Sequence, residues 1–177
     1  MPGQSEGSAT GLTDSQSIKS FTEFLADFRE TLTRDSARLL AMTDEQSAAP
    51  RDTGKWSPKQ IIGHLIDSAS NNHQRFVRAQ FRDDLVFDGY EQEGWVSFQN
   101  YQEKDWRELV QLWLLYNQHI LHLMGLMPEE TRMKLRFKHN LHQIASENLS
   151  ESEPVTLDWF VRDYVDHLKK HLHQILG

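Results

Sequence analysis

An all-α fold, a four-helix bundle, is what this 177-residue sequence predicts. Three observations lead there. Segments near 14–41, 58–81, 104–126 and 156–176 repeat apolar side chains at three- and four-residue intervals, the period of a buried helix face. Turn and capping residues separate them. Each segment leaves an apolar face that one helix cannot bury alone, so the four need one another. No internal repeat or second domain is visible, and the length suits one domain that needs neither disulfides nor a structural metal.

Residues 1–13, rich in Gly, Ser, Gln and Thr, have nothing to pack with and read as a disordered leader, leaving 14–177 as the domain. A first helix is expected from Asp14 to Ala41, with Ile18, Phe21, Leu25, Phe28, Leu32 and Leu39 on its core stripe. After a loop containing Pro50 and Gly54, Ser57 as N-cap and Pro58 at the first helical position start the second helix. It runs to about Phe81, with Ile61, Ile62, Leu65, Ala69, Phe76 and Ala79 on the apolar arc. His64, Ser68, Asn71 and Arg75 form a polar row beside that arc, either lining a cavity or forming a solvated flank.

The connection from about Arg82 to Glu103 is long for a compact domain and carries Phe87, Tyr90 and Trp95. Its aromatics predict an ordered loop that roofs a pocket or anchors to the bundle. The third helix, about Lys104 to Leu126, turns Trp106, Leu109, Val110, Trp113, Ile120 and Met124 inward. From Met133 to Ile144 the pattern is weak, and His139 and His142 read as solvent-facing. The last helix is capped by Thr156 and carries Val161, Val165, Leu168, Leu172 and Ile175 as its aliphatic stripe. Beside that stripe run Phe160, Tyr164, His167, His171 and Gln174, read as inward-facing, while His173 points to solvent.

Composition narrows the function. With no cysteine, thiolate ligands, disulfides and cysteine nucleophiles are excluded, and the chain suits a reducing compartment. No signal peptide or membrane-spanning run is visible, so a soluble cytoplasmic protein without a membrane partner is expected. A formal charge of −7 with scattered Lys and Arg argues against nucleic acid as a partner. Nine histidines direct attention to metal chemistry.

His167 and His171, one helical turn apart, can aim their imidazoles at one ion. The third donor is ambiguous on periodicity alone: His73, between Ile62 and Ile66, reads as more buried than His64. His119 and His122 form a rival pair three residues apart, on a stripe shared with Gln111, Leu115 and Gln118.

Lys55-Trp56-Ser57-Pro58 leading into Gly63-His64-Leu65-Ile66-Asp67-Ser68, the Phe87-Asp88-Gly89-Tyr90 to Trp95 loop, and His167-x-x-x-His171-Leu172-x-Gln174-Ile175 together resemble the DinB-like (DinB/YfiT-like) superfamily of metal-binding four-helix bundles. The resemblance covers nearly all of the chain after the leader. It implies an up-down-down-up bundle holding a divalent ion on His64, His167 and His171. Zn and Ni head the candidate ions, with Fe behind them, because imidazole suits all three. It further implies a small-molecule substrate, in some members with a low-molecular-weight thiol, and leaves room for a homodimer.

Three neutral imidazoles leave positions open for water or substrate. The expected function is therefore a metal-dependent hydrolase or thiol S-transferase, with a non-catalytic metal- or ligand-binding bundle as the alternative. Asp67 and Asp163 are candidates to orient the imidazoles, with helix capping or surface pairing as the other role for each. Arg75 would bind an anionic substrate group or pair with an acidic residue on a neighbouring helix. No catalytic residue is assigned.

Overall fold

The structure, a computed structural model, describes residues 19–177; the leader expected at 1–13 and the helix start expected at Asp14 lie outside the described residues. Four long helices dominate: α1 (Phe21–Leu40), α3 (Pro58–Arg78), α5 (Trp106–Leu126) and α8 (Leu157–Leu176). Short helices α2 (Asp44–Ala48), α4 (Gln92–Phe98), α6 (Glu129–Met133) and α7 (Leu141–Ile144) lie in the connections. None of the described helices is long and apolar enough to cross a membrane.

Helix boundaries follow from local chemistry. Ser20 and Glu23 form a reciprocal capping box, so α1 starts at Phe21, later than periodicity predicts. Ser57 caps α3 in the same way with Gln60, and Pro58 occupies the first turn, where its missing N–H has no partner to lose. The Ser57 hydroxyl also donates to Gln102 Oε1 at 2.6 Å, tying the start of α3 to the long crossover. Thr156 accepts from the Trp159 N–H at 3.1 Å and opens α8.

Side-chain contacts set the direction of each helix. Trp106 at the start of α5 donates its indole N–H to Leu39 O at the end of α1, so these two are antiparallel. His73 packs on Tyr116 and His119, and Phe76 to Phe81 share a groove with Leu123 to Met127; α3 and α5 are therefore parallel. Asp27 pairs with Lys169, and Arg38 reaches Leu176 O, making α1 and α8 parallel. His64 meets His167 while Phe76 meets Phe160, which makes α3 and α8 antiparallel. The order is up-down-down-up. Because α3 and α5 share a direction, the chain between them must run the length of the bundle, which accounts for the long connection.

Trp113, Phe28, Phe76, Phe160, Leu32 and Ile120 fill the centre between the four helices. Phe76 meets Phe160 and Tyr164 edge to face, at centroid distances of 5.6 and 5.7 Å, an arrangement that aligns ring edge with ring face. The crossover enters this core through Leu85, Phe87, Val96 and Tyr101. Gly63 permits the last of these: a Cβ there would lie 2.1 Å from Tyr101 Cδ2.

The segment after α5 corrects one expectation. His139 is not solvent-facing but 7% exposed. Its Nε2–H donates to Glu153 O at 2.8 Å, and Nδ1 accepts from the Leu141 N–H at 3.3 Å. Both ring nitrogens are used by the backbone, which makes burial of the neutral ring inexpensive. Bridges between Leu85 and His139 and between Arg136 and Val155 fasten the segment to the crossover and to the strand-like entry of α8.

Candidate metal centre

The structure brings His64, His167 and His171 together. One ligand-type nitrogen from each lies within 4.8 Å of the other two. His167 Nε2 is 3.1 Å from His171 Nε2 and 3.4 Å from His64 Nε2. Imidazole nitrogens bonded to one ion at about 2.0–2.1 Å, with bond angles between about 90° and 110°, stand roughly 2.9–3.4 Å apart. The two separations that His167 makes, to His171 and to His64, fall in that range.

His64 approaches from the middle of α3, and the other two stand one turn apart on α8. The wheel-based preference for His73 fails because burial depends on which helix lies opposite. His64 faces α8 and is 0% exposed, whereas His73 faces α5 and is half-buried against Tyr116 and His119. His119 and His122 are both exposed, with ring centroids 6.4 Å apart, and among the described residues they belong to no group of three donors. His173 is exposed, as expected.

Burial keeps the three imidazoles neutral, the form that can ligate. Desolvation, with repulsion from His171, pushes His64 down to about 4. The same two causes, with His64 and Lys170 adding to them, push His167 down to about 3. His171 is also lowered, chiefly by desolvation. His171 Nδ1–H donates to Gln174 Oε1 at 2.9 Å, which leaves Nε2 with its lone pair toward the other two rings. Gln174 is itself exposed rather than inward-facing.

His64 Nδ1 is buried without a hydrogen-bond partner. Directing the Nε2 lone pair at the other rings places the proton on that unpartnered nitrogen, at about 1–3 kcal/mol. An ion at Nε2 would leave that N–H equally without an acceptor, so the fit to a metal rests on the donor separations. Trp56 stacks obliquely on His64, 5.2 Å between ring centroids, and closes that side.

Neither carboxylate proposed to orient an imidazole hydrogen-bonds to one. Asp67 Oδ1 accepts from Gln99 Nε2 at 2.6 Å and from Tyr101 OH at 2.7 Å, while Oδ2 has no partner. Burial pushes this carboxyl up from its ordinary value. Asp163 accepts from the Ser146 N–H and hydroxyl and from the Glu147 N–H, holding the chain before α8 against the helix.

Cavities flank the centre on two sides. A polar one of about 70 Å³ is bordered by His167, Ser68, Asn72, Arg75, Tyr90 and Asp163. Of the row predicted along α3, Ser68 and Arg75 therefore line a cavity while His64 does not border it, and Asn72 stands in the place expected for Asn71, whose side chain instead donates to Asp67 O. The second, about 570 Å³, is bordered by His171, Gln174, Trp56, Arg51, Lys55 and Glu93. Tyr90, from the crossover, reaches the small cavity and packs on Trp95 at 4.9 Å, so it both lines the pocket and anchors the loop.

A model of the DinB superfamily matches residues 27–175. Among solved structures, the chain is similar to YfiT from Bacillus subtilis, described as a probable metal-dependent hydrolase with an unusual four-helix bundle topology. The TM-score is 0.72 at 19% identity, covering 90% of this chain and 87% of that one. No curated protein sequence gives a significant match.

Proposed function

Because this chain belongs to the DinB superfamily, we propose that it is a divalent-metal-dependent enzyme of small-molecule chemistry, acting by hydrolysis or by thiol S-transfer. The observation that carries the reading is the convergence of three neutral imidazoles, with His167 Nε2 3.1 and 3.4 Å from the Nε2 atoms of His171 and His64, flanked by a cavity at His167 and another at His171. The description of YfiT as a probable metal-dependent hydrolase agrees with it.

His64, His167 and His171 would hold the ion through Nε2, with Gln174 fixing the tautomer and direction of His171. When bound, a Zn or Ni ion would acidify a water or stabilise a thiolate at neutral pH. The protein's own part is to present that position between two differently sized cavities. A single nucleophilic water needs only one substrate pocket, whereas S-transfer needs room for two reactants; two cavities meeting at one donor set favour transfer between a bulky thiol and a smaller acceptor. Burial pushes the Tyr90 phenol up to about 12, so at neutral pH it stays a hydrogen-bond donor in the smaller cavity.

Elemental analysis of untagged protein tests the first step: wild type retains a stoichiometric divalent ion and His167→Ala does not. Unchanged stoichiometry and affinity in His167→Ala would reject the assignment. Esterase, amidase and thiol-transfer panels with each candidate metal test the second. Metal-dependent turnover lost in His64→Ala supports an enzyme, and binding without turnover across all panels supports a binding bundle instead.

A further inference from the structure

Arg75 is a buried cation for which the fold supplies no anion. It is 5% exposed on α3. Among the described residues no carboxylate comes within 4.0 Å of it in an ion pair. Its protein acceptors are neutral: Asp88 backbone O, 2.7 Å from Nη2, and Asn72 Oδ1, 3.4 Å from Nη1. The exposed Asp88 side chain contributes attraction only from farther away.

The carboxylate nearest in function is also engaged. Asp163 borders the same cavity, but its oxygens accept from Ser146 and Glu147. A guanidinium offers five N–H donors in a planar fork, and burying it without a counter-charge is costly unless something else supplies the charge. Arg75, Asn72, Ser68 and Tyr90 all border the small cavity that reaches His167.

We propose that Arg75 is the anchor of a carboxylate subsite, which holds a carboxylate-bearing substrate with its reacting group toward the three histidines. The second half of that statement rests on the metal-centre reading; the capture of the anion does not. A carboxylate fits better than a phosphate because one guanidinium balances one negative charge, and Asp163 in the cavity wall opposes a second. The planar fork also matches the two oxygens of a carboxylate. Asn72, Ser68 and Tyr90 supply neutral polar groups around it. The substrate class is thus a small carboxylic acid with its reactive carbon a short distance from the carboxylate.

The test uses the full chain, metal-free so that an anion has no ion to ligate, and titrates acetate, its neutral isostere acetamide, and inorganic phosphate by NMR. Saturable acetate shifts at the Asn72 side-chain amide, which borders the cavity and remains as a reporter when Arg75 is replaced, are expected, with acetamide roughly 10- to 100-fold weaker. Arg75→Met loses the acetate response. Arg75→Lys, which keeps the charge but not the fork, retains a weakened one and covers the case in which the methionine variant misfolds. Equal responses to acetate and acetamide, or an acetate response unchanged in Arg75→Lys and Arg75→Met, would overturn the subsite. Tighter binding of phosphate would overturn the carboxylate class. Metal stoichiometry is measured on the same samples. A wild-type chain that takes up no ion but keeps its acetate response removes the metal centre and leaves the subsite standing; an ion bound with no acetate response does the reverse.

Discussion

Replacing Gly63 by alanine sets two effects of opposite sign against each other. In a helix interior, alanine is favoured over glycine by about 1 kcal/mol. Against that, the new Cβ would lie 2.1, 2.3 and 2.7 Å from Tyr101 Cδ2, Cγ and Cε2, all far inside van der Waals contact. The ring cannot simply swing aside, since its hydroxyl is bonded to Asp67 Oδ1 at 2.7 Å and its faces are buried. Overpacking costs about 1–3 kcal/mol. If Tyr101 moves, the hydrogen bond to a buried Asp67 is lost as well, for roughly another 1–3 kcal/mol. Subtracting the gain in propensity leaves the variant less stable by about 1–5 kcal/mol. For a chain of this length that lowers Tm by roughly 3–15 °C. Thermal and urea unfolding of Gly63→Ala measure it, and the same change in a Tyr101→Ala background isolates the clash, because there the alanine should be neutral or stabilising. A Gly63→Ala protein as stable as wild type, or an equal loss in both backgrounds, would refute this account of why glycine stands there.

Gln174→Ala should weaken divalent-metal affinity by about 10- to 100-fold without abolishing binding, since it removes the partner that orients His171; competition against a chelator measures it. The metal-free protein should lose stability on acidification. His64 has a folded-state pKa of about 4 against an ordinary value of 6.5, so between those values the unfolded chain binds the proton and the folded one does not. Stability therefore falls as the pH drops from about 6.5 to about 4, by about 3 kcal/mol from this residue, and His167 carries the decline on to about 3. Urea unfolding at pH 7.5, 6.5 and 5.5, above most of the carboxylate range, reads the effect. A His64→Gln variant with the same slope as wild type would show that this ring is not its source.

The long helices were legible because their signals are local. Ser57 with Pro58, and Thr156 before Leu157, are caps that act within one turn, and both begin helices where expected. The start of α1 was legible too, in the Ser20–Glu23 spacing, but the apolar period running back to Ile18 outweighed it. What periodicity could not supply was the identity of the facing helix. His64 and His73 are both beside the apolar arc of α3, and only the crossing of α8 over one and α5 over the other makes the first a donor in the cluster and the second a neighbour of Tyr116. Choosing between Asn71 and Asn72 for the cavity wall fails for the same reason. His139 was illegible in a different way: its partner is a backbone carbonyl fourteen residues along an irregular segment, and no side-chain pattern encodes a carbonyl's direction. The unpaired state of Arg75 is likewise a property of what the other helices do not bring to it.

The two parallel helix pairs carry a consequence for biosynthesis. As the polypeptide leaves the ribosome from its N-terminus, α1 has no side-by-side partner until α5 has emerged, and the trough that α1, α5 and α3 then form is filled only by α8. His64 must wait for a ring 103 positions later. A nascent chain lacking that closing segment is thus an open trough with an apolar floor and one stranded imidazole, a species for chaperones to shield, and unable to grip an ion however much is present in the cell.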